Sequence, residues 1–275
     1  MPDGAPESEA LSRLTHLGIA AHQDDLEIMA YHGIVECFGR TDRWFGGVVM
    51  SNGAGSPRAG HYAEFSDEEM LRVRHREQRK AAVVGEYVVA LLGYPPEESR
   101  DLDNPAPAED LRRLLGATRA QTIYTHNLAD KHRAHVAVAL RVIEALRSMA
   151  DHQRPQRLLG CEVWRDLDWL DDEEKVVLDV QGHGNLAAAL LGLYDSQIDG
   201  GKRYDLAALG RRRAHATYYA PLVTDDTAEL SLAMDLTPLL RDPMRDPAEF
   251  VCEHIERFRQ DVVARIDDLR PQRRP

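Results

Sequence analysis

An apolar run that ends in His22, Gln23, Asp24 and Asp25 is the feature that most constrains this chain. Residues 17–33 read LGIAAHQDDLEIMAYHG, and a helical pattern of apolar residues begins directly after the two aspartates. A strand that leads straight into a helix is typical of a doubly wound sheet, whose ligand crevice lies at the carboxyl ends of the strands. One imidazole and two carboxylates at such a point predict a metal site.

A second cluster of similar chemistry follows a later predicted strand. Residues 126–135 read HNLADKHRAH, with three histidines and one aspartate. His132 and His135 are three residues apart and therefore share one helix face, and Asp130 is close enough to orient an imidazole through its ring N–H. Because both clusters follow strands of one predicted parallel sheet, we expect them to meet at the same edge.

Strand and helix patterns alternate from residue 14 to about residue 165. The predicted strands of this part are 14–21, 44–50, 87–92 and 121–125. This alternation predicts an α/β fold, in which a Rossmann-like, mostly parallel sheet carries helices on both faces. We expect a single domain over 1–275, made of a flexible tail (1–11), a Rossmann-like core (12–165) and a C-terminal α/β extension (166–275).

The less regular parts give weaker predictions. We expect further strands at 161–165 and 176–180, an edge strand at 229–236, an irregular segment at 95–107 and a charged amphipathic helix at 247–269. Ser66 and Glu69 form a predicted capping box for a long helix. The loop before it, 51–65, is rich in Gly, Ser and Pro, and loops of this length are often functional. An ordinary mobile loop explains the segment equally well.

Composition excludes several classes of partner and site. The formal net charge is −12, with 34 basic and 46 acidic residues, which argues against a nucleic-acid-binding or anionic membrane surface. No apolar run approaches the roughly 18 residues of a membrane span. The three cysteines lie far apart in apolar segments, so we expect them to be buried and unpaired in a reducing, cytoplasmic setting.

The two clusters resemble the motifs of one family, the LmbE/PIG-L metal-dependent N-deacetylases. Residues 21–28, AHQDDLEI, are similar to the family's early A-H-P-D-D-x-E-I motif, and residues 130–135, DKHRAH, are similar to its later D-x-H-P-D-H motif. Weaker similarities are Arg74 with Glu77, the segment 162–164 and the pair 196–197. The resemblance covers roughly residues 14–200.

The resemblance implies a site and a reaction. Its metal ligands would be His22, Asp25 and His135, holding Zn²⁺ or another divalent metal such as Fe²⁺. Asp24 would be the general base, and His132, as imidazolium, would stabilise the tetrahedral intermediate or protonate the leaving amine. Asp130 would be a supporting carboxylate. The substrate would be a small N-acetylated molecule, most simply an amino sugar conjugate. Apart from the resemblance, candidate substrate contacts are Arg58, His61 and Tyr62 on the 51–65 loop, and Arg74. An ion pair with Glu77 or Asp67 explains Arg74 at least as well. A homo-oligomer is possible, and the sequence leaves the oligomeric state open.

Three departures from the family motifs leave alternatives open. Gln23 replaces a proline, Ala134 replaces an aspartate between the two histidines, and His32 replaces a glycine. The leading prediction is hydrolysis of an N-acetyl group by a metal-activated water, with Asp24 as base. The alternative is a catalytically degenerate member of the same fold that binds a sugar or a nucleotide. A dinucleotide-dependent oxidoreductase is disfavoured, because the turn after the first strand lacks G-x-G-x-x-G.

Overall fold

Seven strands form one sheet in a computed structural model that describes residues 3–270. The strands are β1 (His16–Ala20), β2 (Phe45–Ser51), β3 (Val88–Tyr94), β4 (Thr122–His126), β5 (Arg157–Cys161), β6 (Lys175–Asp179) and β7 (Leu230–Asp235). Their order across the sheet is β3-β2-β1-β4-β5-β7-β6. The first five strands pair in parallel, and β7 pairs antiparallel with both β5 and β6. This confirms the predicted α/β fold with a mostly parallel sheet.

Helices cover both faces of the sheet. In chain order they are α1 (Glu7–Ser12), α2 (Asp25–Met29), α3 (Tyr31–Cys37), α4 (Asp67–Val84), α5 (Pro96–Arg100), α6 (Pro105–Ala117), α7 (Arg133–Arg147), α8 (Gly184–Gly192), α9 (Asp195–Ile198), α10 (Tyr204–Tyr218), α11 (Thr237–Arg241) and α12 (Pro247–Leu269). One apolar layer unites the sheet with α6, α7, α11 and the start of α12, and the other unites it with α2, α3, α4 and α8.

The strand order fixes where a ligand site can form. β1 pairs with β2 on one side and with β4 on the other, so the chain order reverses between β1 and β4. In open α/β sheets, ligands bind outside the carboxyl ends of the strands at such a switch point. The segments that follow β1 and β4 carry the two clusters singled out in the sequence.

Several predicted boundaries differ from the structure. Residues 7–12 form α1, whose Ala10 is fully buried, so the predicted flexible tail does not extend through residue 11; residues 1 and 2 lie outside the described part. The segment 95–107 contains α5 and the start of α6. The helix predicted after Asp25 breaks at Ala30, whose φ and ψ are −108° and 17°, and continues as α3.

The C-terminal half shows two further differences. The strand expected at 161–165 is β5, which ends at Cys161, because its apolar residues 158–161 pair in register with β4. The strand expected at the edge is β7, which is buried between β5 and β6. Cys37 and Cys161 are buried as predicted, but Cys252 is exposed on α12. Within residues 3–270, no helix is both long and apolar enough to cross a membrane.

Candidate metal centre

The turn between β1 and α2 brings His22 and Asp25 together. The backbone N–H of His22 donates to Asp25 Oδ2 at 2.7 Å, which turns the carboxylate back toward the end of β1. His22 Nδ1 lies 3.2 Å from the same oxygen. Asp25 is the first residue of α2, where the helix dipole favours a carboxylate. Local hydrogen bonding therefore sets the first two donor atoms side by side.

His135 supplies a third donor atom from α7. Its Nε2 lies 3.2 Å from His22 Nδ1 and 3.4 Å from Asp25 Oδ2. Bonds of about 2.0–2.1 Å in a tetrahedral zinc site require donor atoms about 3.3 Å apart. The three donor atoms thus form one face of a tetrahedron of the size that a zinc ion needs, across 113 residues of sequence.

Two overlapping sets of side chains within residues 3–270 are close enough to hold a metal ion. They are His22, His132 and His135, and Asp25, His126 and His135. In the second set, His126 Nε2 already accepts the backbone N–H of Ala21 at 2.9 Å, and its ring stacks on His135 at 3.9 Å. That lone pair is occupied, so we favour His22, Asp25 and His135 as the donor set. The sequence placed His126 in the cluster without giving it this supporting role.

Asp130 connects the second cluster to its surroundings. Its Oδ1 accepts the backbone N–H of His132 at 2.8 Å and lies 3.4 Å from His135 Nδ1, while its Oδ2 accepts the backbone N–H of Trp164 at 3.0 Å. A carboxylate that accepts a hydrogen bond from the ring nitrogen not bound to the metal fixes the orientation of a ligating imidazole. Asp130 also holds the segment that carries Trp164 against the site.

A buried ion-pair network holds Asp24 beside the donor atoms. Arg74, 1% exposed, donates to Asp24 Oδ2 at 3.2 Å, to Glu77 Oε2 at 3.1 Å and to the carbonyl oxygen of Gln23. Glu77 in turn accepts from the hydroxyl and the backbone N–H of Ser196. The guanidinium group of Arg74 thus donates its hydrogen bonds to other residues of the protein. Its side chain also borders the cavity described below.

Gln23 stands where the family motif has a proline, and it restrains the turn after β1 through a hydrogen bond of its side chain. Its side-chain amide is fully buried and donates to the carbonyl oxygen of Ser51 at 2.8 Å. Gly53 makes this packing feasible, because a Cβ there would lie 2.6 Å from Gln23 Oε1 and 2.7 Å from the Cβ of Arg74. The turn after β1 is therefore tied to the end of β2 by a hydrogen bond.

Burial and neighbouring charges shift the pKa values of Asp24 and Asp25 in opposite directions. Burial, reinforced by Asp25, raises the pKa of Asp24 to about 8 against the opposing effect of Arg74. Burial also acts to raise the pKa of Asp25, but the imidazoles of His135, His126 and His22 outweigh it and hold that pKa below its usual range. Two adjacent carboxylates with such different proton affinities can serve different roles.

His132 at the N-cap of α7 and His135 in its first turn also differ in pKa. Burial opposes protonation of His135, but Asp25 and Asp130 outweigh it and raise its pKa. Burial, with the imidazoles of His22 and His135, lowers the pKa of His132 to about 4. The neutral form of His132 is therefore favoured, which differs from the imidazolium expected from the sequence. A neutral ring can still donate one N–H.

A cavity of about 360 Å³ opens beside these side chains. Its walls include Trp164 after β5, Lys202 and Tyr204 at the start of α10, and Glu97 and Arg100 on α5. Lys202, Tyr204, Glu97 and Arg100 were not singled out in the sequence. They carry no motif, and they reach the site only through the packing of α5, α9 and α10.

Three side chains proposed for substrate contact do not line this cavity. Arg58 donates to the carbonyl oxygen of Ala54 and pairs with Asp67. Tyr62 is buried and donates to Asp195 Oδ2 at 2.7 Å, while the backbone N–H of its neighbour His61 donates to Asp199. From the same loop, Ser51, Gly53, Gly55, Ser56 and Pro57 border the cavity instead.

Comparison with known proteins supports the same fold. No curated protein sequence matches the chain. Among solved structures, the A40926 pseudoaglycone deacetylase Dbv21 is 18% identical, with a TM-score of 0.59, and the match covers 82% of this chain and 97% of that one. The N,N′-diacetylchitobiose deacetylase from Pyrococcus horikoshii is 14% identical, with a TM-score of 0.58 and coverage of 82% and 85%.

A third similar structure carries a different activity in its name. GalB, the 4-carboxy-2-hydroxymuconate hydratase from Pseudomonas putida KT2440, is 16% identical, with a TM-score of 0.57 and coverage of 81% and 96%. At such identities the likeness shows the fold alone. The profile of one family, described as PIG-L: GlcNAc-PI de-N-acetylase, matches residues 17–146. This range holds both histidine–aspartate clusters, so the similarity to the PIG-L/LmbE family covers the part of the chain that carries them.

Proposed function

We propose that the protein is a metal-dependent N-deacetylase that hydrolyses the N-acetyl group of an amino sugar conjugate. The observation that carries the proposal is the triangle of donor atoms from His22, Asp25 and His135, 3.2–3.4 Å apart, with the carboxylate of Asp24 beside it. The family match supports a deacetylase, and an N-acetylated sugar is the substrate of the structurally similar N,N′-diacetylchitobiose deacetylase from Pyrococcus horikoshii.

The metal would be held by His22, Asp25 and His135. Imidazole nitrogen and carboxylate oxygen suit both Zn²⁺ and Fe²⁺, and we propose Zn²⁺ because the spacing of the donor atoms fits its tetrahedral geometry. When bound, such an ion polarises the amide carbonyl and makes water a stronger nucleophile near neutral pH. Asp130 would keep the His135 ring in its ligating orientation.

The remaining roles fall to three side chains of the protein. Asp24 takes the proton of the attacking water, because its carboxylate lines the cavity beside His22 and Asp25. Arg74 keeps Asp24 in place through their buried ion pair. His132 donates a ring N–H to the oxygen that gains negative charge in the transition state, a contribution typical of oxyanion stabilisation.

The cavity offers a site of suitable size for one sugar ring. Its volume of about 360 Å³ lies in the range of small-molecule sites. Trp164 is 36% exposed, and its ring lies nearly parallel to that of His132, with centroids 6.4 Å apart. We propose that the sugar packs against the exposed part of Trp164 while the acetamido group points toward His22 and Asp25.

The departures from the family motifs do not favour the non-catalytic alternative. Gln23 retains the turn through its hydrogen bond to Ser51, and Ala134 lies on the cavity wall without displacing a donor atom. The prediction of a cytoplasmic location, the single-domain division and the oligomeric state stay predictions.

Acetate release tests the proposed function directly. N-Acetylglucosamine and its conjugates are incubated with the protein as purified, after chelation, and after addition of Zn²⁺ or Fe²⁺. We expect chelation to abolish acetate release and one metal to restore it. Asp24→Asn should lower kcat about 10²- to 10⁴-fold with its metal content unchanged, because only the base is lost.

The exposed Asp42→Asn serves as the matched control, since this carboxylate pairs with Arg40 at the surface and does not line the cavity. Acetate release that survives both chelation and Asp24→Asn would contradict the mechanism. The hydratase activity in the name of GalB makes a second readout useful: mass spectrometry separates loss of an acetyl group from addition of water.

A further inference from the structure

Four basic side chains line the cavity or the open cavity beside it. Lys202 and Arg100 line the first cavity directly. Lys131 and Arg133 line an adjoining open cavity of about 640 Å³, which shares Glu97 and Arg100 with the first. Within residues 3–270, the side chains of Lys202, Lys131 and Arg133 form no ion pair, whereas most other surface arginines of this chain are paired.

The acidic groups nearby neutralise this cluster only in part, because within the described residues Glu97 pairs with Arg100 alone. Asp24 is engaged by Arg74, and Asp130 by backbone N–H groups and His135. The carboxylates left at the mouth are Glu97, 3.7 Å from Arg100, and the exposed Asp101. The chain as a whole carries a net charge of −12, so a basic mouth runs against the background charge of the molecule. Such local reversals attract ligands of opposite charge.

Lys202 is also positioned relative to the candidate catalytic groups. Its Nζ lies 5.0 Å from the ring centroid of Trp164, and Trp164 stacks on His132. The ammonium group of Lys202 therefore contacts the ring of Trp164, which in turn lies against the ring of His132. A substrate whose acetamido group reaches His132 would have another part of its sugar ring or its aglycone near Lys202.

We propose that the substrate of this site carries an anionic group, a phosphate ester or a carboxylate, which Lys202 and Arg100 bind. Lys131 and Arg133 add to the positive field at the entrance. This inference rests on the proposed function, because it names a further group on the same N-acetylated substrate. Phosphate and carboxylate groups both accept hydrogen bonds from lysine and arginine side chains. The experiment therefore uses a separate probe for each of the two groups.

The experiment compares three substrates on the metal-loaded protein: N-acetylglucosamine 6-phosphate, N-acetylmuramic acid and neutral N-acetylglucosamine. We expect kcat/KM to be at least about tenfold higher for one of the two anionic compounds, the scale of one charge-assisted hydrogen bond. Lys202→Gln should reduce that preference about tenfold, mainly through KM, and Lys202→Arg should retain most of it. Raising the salt concentration should reduce the preference as well.

Arg203→Gln is the matched control. It removes the same charge from the next residue, but Arg203 pairs with Asp205 at 2.7–2.9 Å and does not line the cavity. Its effect on the preference should be less than twofold. An Arg203→Gln variant that loses the preference as fully as Lys202→Gln would show a general effect of net charge and would overturn the assignment.

Calorimetry with glucosamine 6-phosphate, muramic acid and glucosamine separates this inference from the proposed function. Tighter binding of an anionic amine, lost in Lys202→Gln, supports the anion site even if no acetate is released, in which case the deacetylase proposal fails alone. Acetate release from all three N-acetyl compounds with equal kcat/KM, and equal binding of the amines, would overturn the anion site and leave the deacetylase proposal standing.

Discussion

Asp24 is held in a backbone conformation that few residues adopt. Its φ and ψ are 91° and −28°, in the left-handed region where a residue other than glycine is strained by about 1–3 kcal/mol. Three contacts compensate: Gln78 Oε1 accepts its backbone N–H, and Arg74 binds both its carboxylate and the preceding carbonyl oxygen. Because two of these contacts come from Arg74, Arg74 is expected to position the candidate base.

Replacing Arg74 with lysine tests this positioning role. Lysine keeps the charge but loses the planar fork that binds Gln23, Asp24 and Glu77 together. We expect Arg74→Lys to lower kcat about 10- to 100-fold and to lower the free energy of unfolding by about 1–3 kcal/mol, with metal content unchanged. Arg76→Lys, on the exposed side of the same helix, is the control. Unchanged kcat in Arg74→Lys would show that Asp24 does not depend on it.

Gln23 gives a second prediction for a single side chain. Gln23→Ala removes the hydrogen bond to Ser51 and leaves space in a fully buried position. We expect the free energy of unfolding, measured by urea denaturation, to fall by about 1–2 kcal/mol. The exposed Gln153→Ala should change it by less than about 0.5 kcal/mol. A loss no greater than that of the control would mean that the turn is held without the Gln23 side chain.

At the level of secondary structure, the capping box of α4 is predictable from the sequence and the position of β7 in the sheet is not. The capping box of α4 is present: Ser66 Oγ accepts the backbone N–H of Glu69, and Glu69 accepts that of Ser66. Both partners lie within one turn, so four residues of sequence suffice. The place of β7 between β5 and β6 depends on which strands lie beside it, and strand patterns alone do not specify their neighbours.

Ser66→Ala measures what this cap contributes to α4. The helix carries Arg74 and Glu77, so its first turn supports the network around Asp24. Loss of an N-cap side chain costs about 0.5–2 kcal/mol, and we expect a loss of this size in urea denaturation. Ser12→Ala, at the exposed end of α1, should cost less. Equal effects of the two substitutions would show that the capping box adds nothing to stability.

Over the whole molecule, the donor atoms were predictable and the cavity walls were not. His22, Asp25 and His135 follow β1 and β4, and the switch point between those strands brings their ends together whatever the rest of the chain does. Lys202 and Tyr204 border the cavity because α9 packs against α4 and α10 packs against α8. Trp164 borders it because Asp130 accepts its backbone N–H. Such packing depends on side-chain fit over distant segments, which a single sequence does not reveal.

The C-terminal helix combines an anchored start with an exposed end. Phe250 and Val251 are 4% and 7% exposed and belong to the core, and His254 lies 2.8 Å from Glu174. Beyond Gln260 the larger apolar side chains are 39–84% exposed: Val262, Val263, Ile266 and Leu269. Within the described part, no side-chain hydrogen bond or ion pair joins residues 261–270 to the rest of the chain.

Two shortened chains test this division of α12. A chain that ends at Gln260 keeps every buried contact of the helix, so we expect its free energy of unfolding to fall by less than about 1 kcal/mol. A chain that ends at Asp246 also loses Phe250 and Val251 from the core, and removal of one buried aromatic side chain alone typically costs about 3–5 kcal/mol. Urea denaturation of both chains measures the difference, at several protein concentrations. If the chain that ends at Gln260 instead loses much of its free energy of unfolding, by an amount that depends on protein concentration, residues 261–275 stabilise the protein by contacting a second copy.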